Sequence, residues 1–179
     1  MKSSPRYDAC VEIPTIETER LRLRAFRNED LDAYAAMCAD PEVMRYLGTG
    51  VTLNRSDTWR SMAGFLGHWQ LRGYGMWALE EKATGALVGR AGFLNPEGWP
   101  GFELGWTLAR SCWGNGFATE AARRALAYAF DVLRQPRVIS LIRPANTPSI
   151  RVAERLGMQR AEEIELLGGP VLVYEARRA

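Results

Sequence analysis

The stretch most able to do chemistry runs Glu103-Leu104-Gly105-Trp106-Thr107-Leu108-Ala109-Arg110-Ser111-Cys112-Trp113-Gly114-Asn115-Gly116-Phe117-Ala118-Thr119-Glu120-Ala121. It reads as a strand, a loop holding two glycines, and the opening of a long helix. Glycines let a backbone turn sharply and present bare N–H groups at close range. A helix start adds up to four unpaired N–H groups and the positive end of the helix dipole. Together these make a site for a phosphate or pyrophosphate. The competing reading is a plain strand-to-helix turn in which glycine serves geometry alone. Two familiar phosphate loops do not fit. A dinucleotide fingerprint requires Gly or Ala where Thr119 stands, and a Walker loop requires a Gly-Lys-Ser/Thr run that is absent here.

Other reactive side chains are sparse. The single histidine, His68, lies in a tryptophan-rich helical pattern and reads as packed or surface rather than as a base. Three cysteines (Cys10, Cys38 and Cys112) lie far apart without a CxxC pair, which argues against a disulfide framework and a Cys/His zinc site. No metal is expected. Cys112 flanks the glycine loop without a partner histidine and reads as loop filler.

The elements that must position this loop follow from periodicity. Residues 1–14 read as a loose leader and 15–179 as one domain. Arg20-Leu21-Arg22-Leu23-Arg24 alternates as a half-buried strand does. Asn28 is expected to cap a helix carrying Leu31, Tyr34, Ala35 and Cys38, stopped at Asp40-Pro41 and followed by a Val43–Leu47 turn. Trp59, Met62, Ala63, Leu66 and Trp69 mark the buried face of a second helix, ended by Gly73. Gly75–Glu81, Ala86–Leu94 and Gly101–Leu108 read as an antiparallel meander. A helix over 119–133, a strand over 138–142, a helix over 148–156 and strands over 161–167 and 171–176 complete the chain, with Gly168-Gly169-Pro170 as the last turn. This order predicts an α+β fold: a mixed, mostly antiparallel central sheet flanked by helices.

Composition sets the class. The 179 residues carry 23 Lys+Arg against 21 Asp+Glu, 47% are hydrophobic, and this excludes disorder for most of the length. All but two of the basic residues (Lys2 and Lys82) are arginine, read as genome bias. The arginines are dispersed, so direct nucleic-acid binding is not expected. No run approaches the roughly 18 apolar residues of a membrane span, and the N-terminus has no apolar signal region. The expectation is a cytoplasmic protein, monomeric or homodimeric.

Trp113-Gly114-Asn115-Gly116-Phe117-Ala118-Thr119-Glu120-Ala121 resembles the acetyl-CoA pyrophosphate loop of the GNAT N-acetyltransferases, in the form found near the ribosomal-protein N-terminal acetyltransferases. Trp113 stands where the wider family has Gln or Arg. Thr18-Glu19-Arg20-Leu21-Arg22-Leu23-Arg24 resembles that subgroup's first strand. Asn146-x-x-Ser149 with Glu154-Arg155-Leu156-Gly157-Met158 resembles its second CoA-side motif. The likeness spans roughly residues 15–176 and is specific for the superfamily rather than for the substrate.

The resemblance implies direct attack of a primary amine on the thioester of acetyl-CoA, the cosubstrate. The acceptor is a small molecule or a protein N-terminus. By analogy Gly114, Asn115, Gly116, Phe117, Ala118 and Thr119 bind the pyrophosphate, Trp106–Leu108 receive the pantetheine arm, and a backbone N–H near Thr107 or Leu108 meets the charge growing on the thioester oxygen. Glu103 is the candidate base acting through water, or an ordinary sheet-face glutamate. Glu165 is the rival base, or an exposed edge charge. The family's usual tyrosine acid is replaced by Ala153, leaving Ser149 as the substitute or as the N-cap of its helix, and Asn146 to orient cofactor amides. Trp99 is expected to line the acceptor pocket, and Arg110, Arg151 and Arg155 to flank the CoA phosphates. Ala153 also motivates an alternative: a non-catalytic acyl-CoA-binding domain on the same fold.

Overall fold

The alternation at residues 20–24 produces a strand with two buried faces rather than one. In the computed structural model, which describes residues 11–178, Leu21 and Leu23 are fully buried on one side and Arg24 is buried on the other. Arg24 donates to Asp30 through both terminal nitrogens at 2.8 Å and to Glu80 through Nε at 2.6 Å. Arg22 reaches the same Glu80 at 2.6 Å. Hydrogen bonds from Arg24 hold the Glu80 carboxyl below its usual range. Burial raises that of Asp30, but Arg24 and the Arg27 N–H bring it down on balance. Arg24→Met would leave buried carboxylates short of their cation, so we expect a loss of about 3–5 kcal/mol, read by chemical denaturation. A loss under about 1 kcal/mol would contradict the network.

The sheet has eight strands. The chain enters through β1 (Ile16–Glu17) and β2 (Leu21–Arg24), then α1 (Leu31–Ala39), α2 (Pro41–Met44) and α3 (Arg55–Arg72). The meander follows as β3 (Met76–Glu81), β4 (Leu87–Leu94) and β5 (Glu103–Leu108). Then come α4 (Phe117–Asp131), β6 (Arg137–Ile142), α5 (Thr147–Arg155), β7 (Gln159–Leu166) and β8 (Gly169–Arg177). The spatial order is β1-β2-β3-β4-β5-β6-β8-β7, antiparallel throughout except for the parallel β5–β6 pair. This is the mixed, mostly antiparallel sheet that the pattern predicts.

Helix α4 packs on one face through Ala121, Ala122, Ala125 and Ala129, all fully buried, whose small side chains bring the helix close to the strands. On the other face Tyr34, Met37 and Cys38 of α1 and Met62 of α3 pack with Phe26 and Ala78.

Several local expectations give way. Asn28 is not a cap: it lies inside a 3₁₀ turn, and the Asp30 carboxylate takes the Arg27 N–H at 2.7 Å instead. The buried face of α3 is Thr58, Met62 and Trp69, while Trp59 and Leu66 are exposed, because the helix must aim Trp69 at Trp77. The expected Val43–Leu47 turn begins inside the short α2, which contains Val43 and Met44 and whose N-cap Asp40 accepts from the Glu42 N–H at 2.9 Å. The last hairpin turns on Leu167 and Gly168, both at positive φ, as a two-residue primed turn requires; Gly169 and Pro170 already belong to β8. Residues 11–14 are docked rather than loose: the Val11 N–H bonds Gln70 and the Trp77 indole bonds the Pro14 carbonyl. The rest of the expected leader, with Cys10, lies outside the described residues.

Candidate active site

The site is built around a split in the sheet. β5 and β6 share a single ladder position, Glu103 with Ile139, and then diverge. The Ser140 hydroxyl donates to the Leu104 carbonyl at 2.7 Å, standing in for a strand bond where the split begins. Further along, the Leu108 carbonyl takes the indole N–H of Trp113 at 3.0 Å. Trp113 thereby ties the glycine loop to the strand that feeds it. The Ala109 N–H bonds Val88 of β4, so strand alternation turns the Thr107 N–H to β4 and those of Trp106 and Leu108 into the split. Of the Thr107 and Leu108 N–H groups, therefore, it is that of Leu108 that faces the split.

Two cavities open on this split. A groove of about 600 Å³ is lined by Trp106, Thr107, Leu108, the loop residues Gly114 and Gly116, and Phe117–Thr119. The other, of about 400 Å³, is lined by Glu103, Trp99, Arg90, Phe65 and Leu53, among others. Tyr46, Leu47, Trp106, Thr107, Asn146 and Ser149 line both, which places them where the cavities meet.

At the groove's far end Gly116 sits at φ 79°, a left-handed conformation that favours glycine, and starts α4 two residues earlier than its apolar stripe suggests. No side chain caps α4. Among the described residues, no N–H from Gly114 to Thr119 donates to another part of the chain. This open amide cradle is backed by Arg151 and Arg155, and by Arg45, which the sequence did not single out. Arg110 does not line the groove.

The cradle is braced from behind. Glu120 accepts from the Thr18 hydroxyl at 2.6 Å, the Arg20 N–H at 2.8 Å and the Arg20 Nε at 2.7 Å. Arg20 in turn donates to the Asn115 carbonyl at 2.9 Å and lies over the Phe117 ring. The two sequence motifs are thus one structural unit. Burial raises the Glu120 carboxyl, but the Thr18 and Arg20 hydrogen bonds outweigh it, keep the group ionised and offset its charge beside the anion site. Glu120→Ala should lower unfolding free energy by about 1–3 kcal/mol in denaturant melts, since three donors lose one acceptor. An unchanged midpoint would contradict the brace.

Glu103 is buried and faces the smaller cavity. Burial pushes its carboxyl up to about 7, despite the Trp99 indole N–H at 2.7 Å, the positive Arg90 and the Leu141 N–H, which all pull it down. Trp99 lines the same cavity. Glu165 is not brought to the site: it is exposed on the edge strand β7, and its neighbour Leu166 lines the cavity in its place. Ser149 is not the N-cap of α5. Asn146 is, with its side-chain oxygen accepting the Ser149 N–H at 3.3 Å, and Ser149 lines both cavities. Ala153 is fully buried with Ile142, Met158 and Leu172, so that position offers neither a hydroxyl nor access. Both ring nitrogens of His68 are engaged, Nδ1 with the Tyr74 carbonyl and Nε2 with the Asn95 N–H. Cys112 lines the groove. Tyr46 and Arg90, like Arg45, are residues that sequence reasoning passed over. No spacing rule marks a tyrosine after a short helix or one arginine among many.

Residues 20–159 match the family described as acetyltransferase (GNAT) domain, and the chain belongs to that family. It is an acetyl-CoA-dependent N-acetyltransferase. The N-acetyltransferase p20 of Bacillus licheniformis is 33% identical over 148 residues, covering 82% of this chain and 83% of that one. An acetyltransferase structure from Agrobacterium tumefaciens superposes with TM-score 0.84 at 32% identity, covering 93% of this chain and 96% of that one. A ribosomal L7/L12 α-N-protein acetyltransferase solved with coenzyme A shares the fold with TM-score 0.77 at 19% identity, covering 92% and 98%.

Proposed function

We propose that the protein transfers the acetyl group of acetyl-CoA to a primary amine by direct attack, with both substrates bound at once. The observation that carries this reading is the meeting of the two cavities at Trp106, Thr107, Asn146 and Ser149, above the split between β5 and β6. The groove's residues fit acetyl-CoA: uncapped amides and arginines suit a pyrophosphate, and the free edge of β5 suits an amide-bearing arm. Acetyl-CoA supplies the activated acetyl group.

The chain's own residues do the rest. The N–H groups of 114–119 hold the phosphates, and the Leu108 N–H meets the negative charge that grows on the thioester oxygen. Glu103, ionising near neutral pH, takes a proton from the incoming ammonium through water, because a base works best when its pKa lies near the operating pH. The Ser149 hydroxyl, at the junction, relays to the departing thiolate the proton that the attacking nitrogen sheds as the intermediate collapses, and so ends as a hydroxyl again.

Titration with acetyl-CoA, followed by thiol release across a panel of primary amines, tests the reading. Initial rates varied in both substrates should give intersecting lines, and the protein's intact mass should not change on incubation with acetyl-CoA. Parallel lines with an acetylated protein would overturn direct transfer. Tight binding of acetyl-CoA with no acetylated amine would favour a non-catalytic acyl-CoA-binding domain.

A further inference from the structure

We infer that the smaller cavity selects an amine that also carries a carboxylate on an apolar body, and that Arg90 holds the carboxylate. This deepens the acetyl-transfer reading and rests on it for the identity of the amine end. Arg90 and Thr107 are direct cross-strand partners on β4 and β5, so their side chains share the face that floors the cavity. The described residues contain two buried side-chain polar atoms without a hydrogen-bond partner, and they belong to this pair: Arg90 Nε and Thr107 Oγ1. Buried polar atoms are nearly always paired, so two orphans on one cavity floor mark a place where a ligand supplies the partner.

Arg90 takes part in no ion pair among the described residues. Its one polar side-chain contact is the weak acceptor Met76 Sδ at 3.5 Å, and its guanidinium lies 5.1 Å from the centre of the Phe65 ring. Arg90 is half-buried, but its Nε is sealed from solvent without a partner, a cost that an anion seated on that edge of the guanidinium would remove. Next along the same face, Gly105 lines the cavity between Arg90 and Glu103, and with no side chain of its own it lets Met76 lie across the floor there. Leu53, Phe65, Met76 and Trp99 make the walls apolar.

The cavity displays two arginines and one ionisable carboxyl in a largely apolar surround. Arg143 already gives its terminal nitrogens to the carbonyls of Gly48, Leu167 and Pro170, which leaves Arg90 as the cation without an acceptor of its own. That pattern complements a zwitterion: ammonium toward Glu103, carboxylate on Arg90. A planar guanidinium fork matches a planar carboxylate in bidentate fashion, and with Arg143 held by backbone carbonyls Arg90 alone does not offer the several donors a phosphate calls for. The volume of about 400 Å³ suits a molecule the size of an amino acid.

Calorimetric binding to the CoA-loaded protein tests the assignment apart from turnover. Phenylalanine and phenylalanine amide, and N-acetylphenylalanine and its amide, are compared on the parent, Arg90→Met and Arg90→Lys. The parent should bind each carboxylate about tenfold to a hundredfold more tightly than its amide, the ratio expected of charge-assisted hydrogen bonds. Arg90→Met should bring the ratio close to one, with Arg90→Lys between. A purely structural Arg90, present to balance Glu103, would weaken both members of each pair alike and leave the ratio unmoved, which overturns the inference. A parent ratio near one overturns it too, even where neutral amines are acetylated and the acetyl-transfer reading stands. Carboxylate-selective binding with no acetyl transfer to any amine would instead overturn the acetyl-transfer reading and leave the anion site in place.

Discussion

Replacing Glu103 with glutamine should lower kcat at neutral pH by about a hundredfold or more, the usual contribution of a positioned base. It should also make the protein more stable at pH 8. Both effects come from one fact: this carboxyl is buried, and its ionisation is pushed up to about 7. In the unfolded chain it returns to the ordinary carboxylate range. Between those two values the native state holds a proton that the unfolded state has released. Stability therefore falls as pH rises through that window and levels off above the native value. The total is about 3 kcal/mol for a carboxyl moved from its ordinary range up to about 7. Glutamine resembles the protonated acid and has no such slope. The variant and the parent should match near pH 4.5 and differ by about that amount at pH 8. The lowered carboxyls, Glu80 and Glu120 among them, tilt both proteins alike and cancel in the difference.

The rate deficit should shrink at high pH, where the acceptor amine loses its proton unaided. Denaturant melts at two pH values and a pH–rate profile check both halves. A kcat within about threefold of the parent at pH 7 would remove Glu103 from proton transfer. Trp99→Phe supplies an independent check, because the Trp99 indole N–H is one of the groups that hold the Glu103 ionisation down. Without that donor the rising limb of the pH–rate profile should move to higher pH. A shift the other way would mean another group controls the limb.

The groove could be read from the sequence because its chemistry is local. Gly114, Gly116 and the start of α4 are contiguous, and a helix N-terminus binds anions whatever packs behind it. The meander was legible for the same reason, since period-2 patterning and short turns act between neighbours. What failed depended on distant partners. Leu66 looked buried because its spacing matched Trp59 and Trp69, yet the face of α3 is chosen by Trp77 across the sheet. Glu165 looked as plausible as Glu103, and only the pairing of β7 and β8 shows that Leu166 is the residue facing the cavity. Ser149 looked like a cap until the Asn146 side chain was placed three residues upstream. Arg90 gave no signal at all: its meaning lies in Thr107 opposite and in the cavity that both residues line.

Gly116→Asp should raise the dissociation constant for acetyl-CoA by about a hundredfold while leaving the fold intact. Gly116 is the residue from which α4 departs, at φ 79°, with the loop and first-turn N–H groups around it. A Cβ there would stand 3.5 Å from Nη2 of Arg20, and nothing else comes within 4 Å, so the side chain meets no wall. The cost of a left-handed aspartate is about 1 kcal/mol, among the smallest for any residue with a side chain. The new carboxylate would have two favourable partners: the uncapped amides of α4, for which aspartate is a preferred cap, and the Arg20 guanidinium. Each partner it takes is one the pyrophosphate loses, and its charge repels the phosphates that remain. The substitution thus fills the anion site with an intramolecular competitor instead of breaking it. Binding and stability should separate: calorimetry should show the loss of acetyl-CoA affinity, while thermal melting without ligand stays within a few degrees of the parent. Retained affinity would show that the phosphates lie elsewhere, and a collapsed melting point would show that the loop's backbone, not its amides, had been tested.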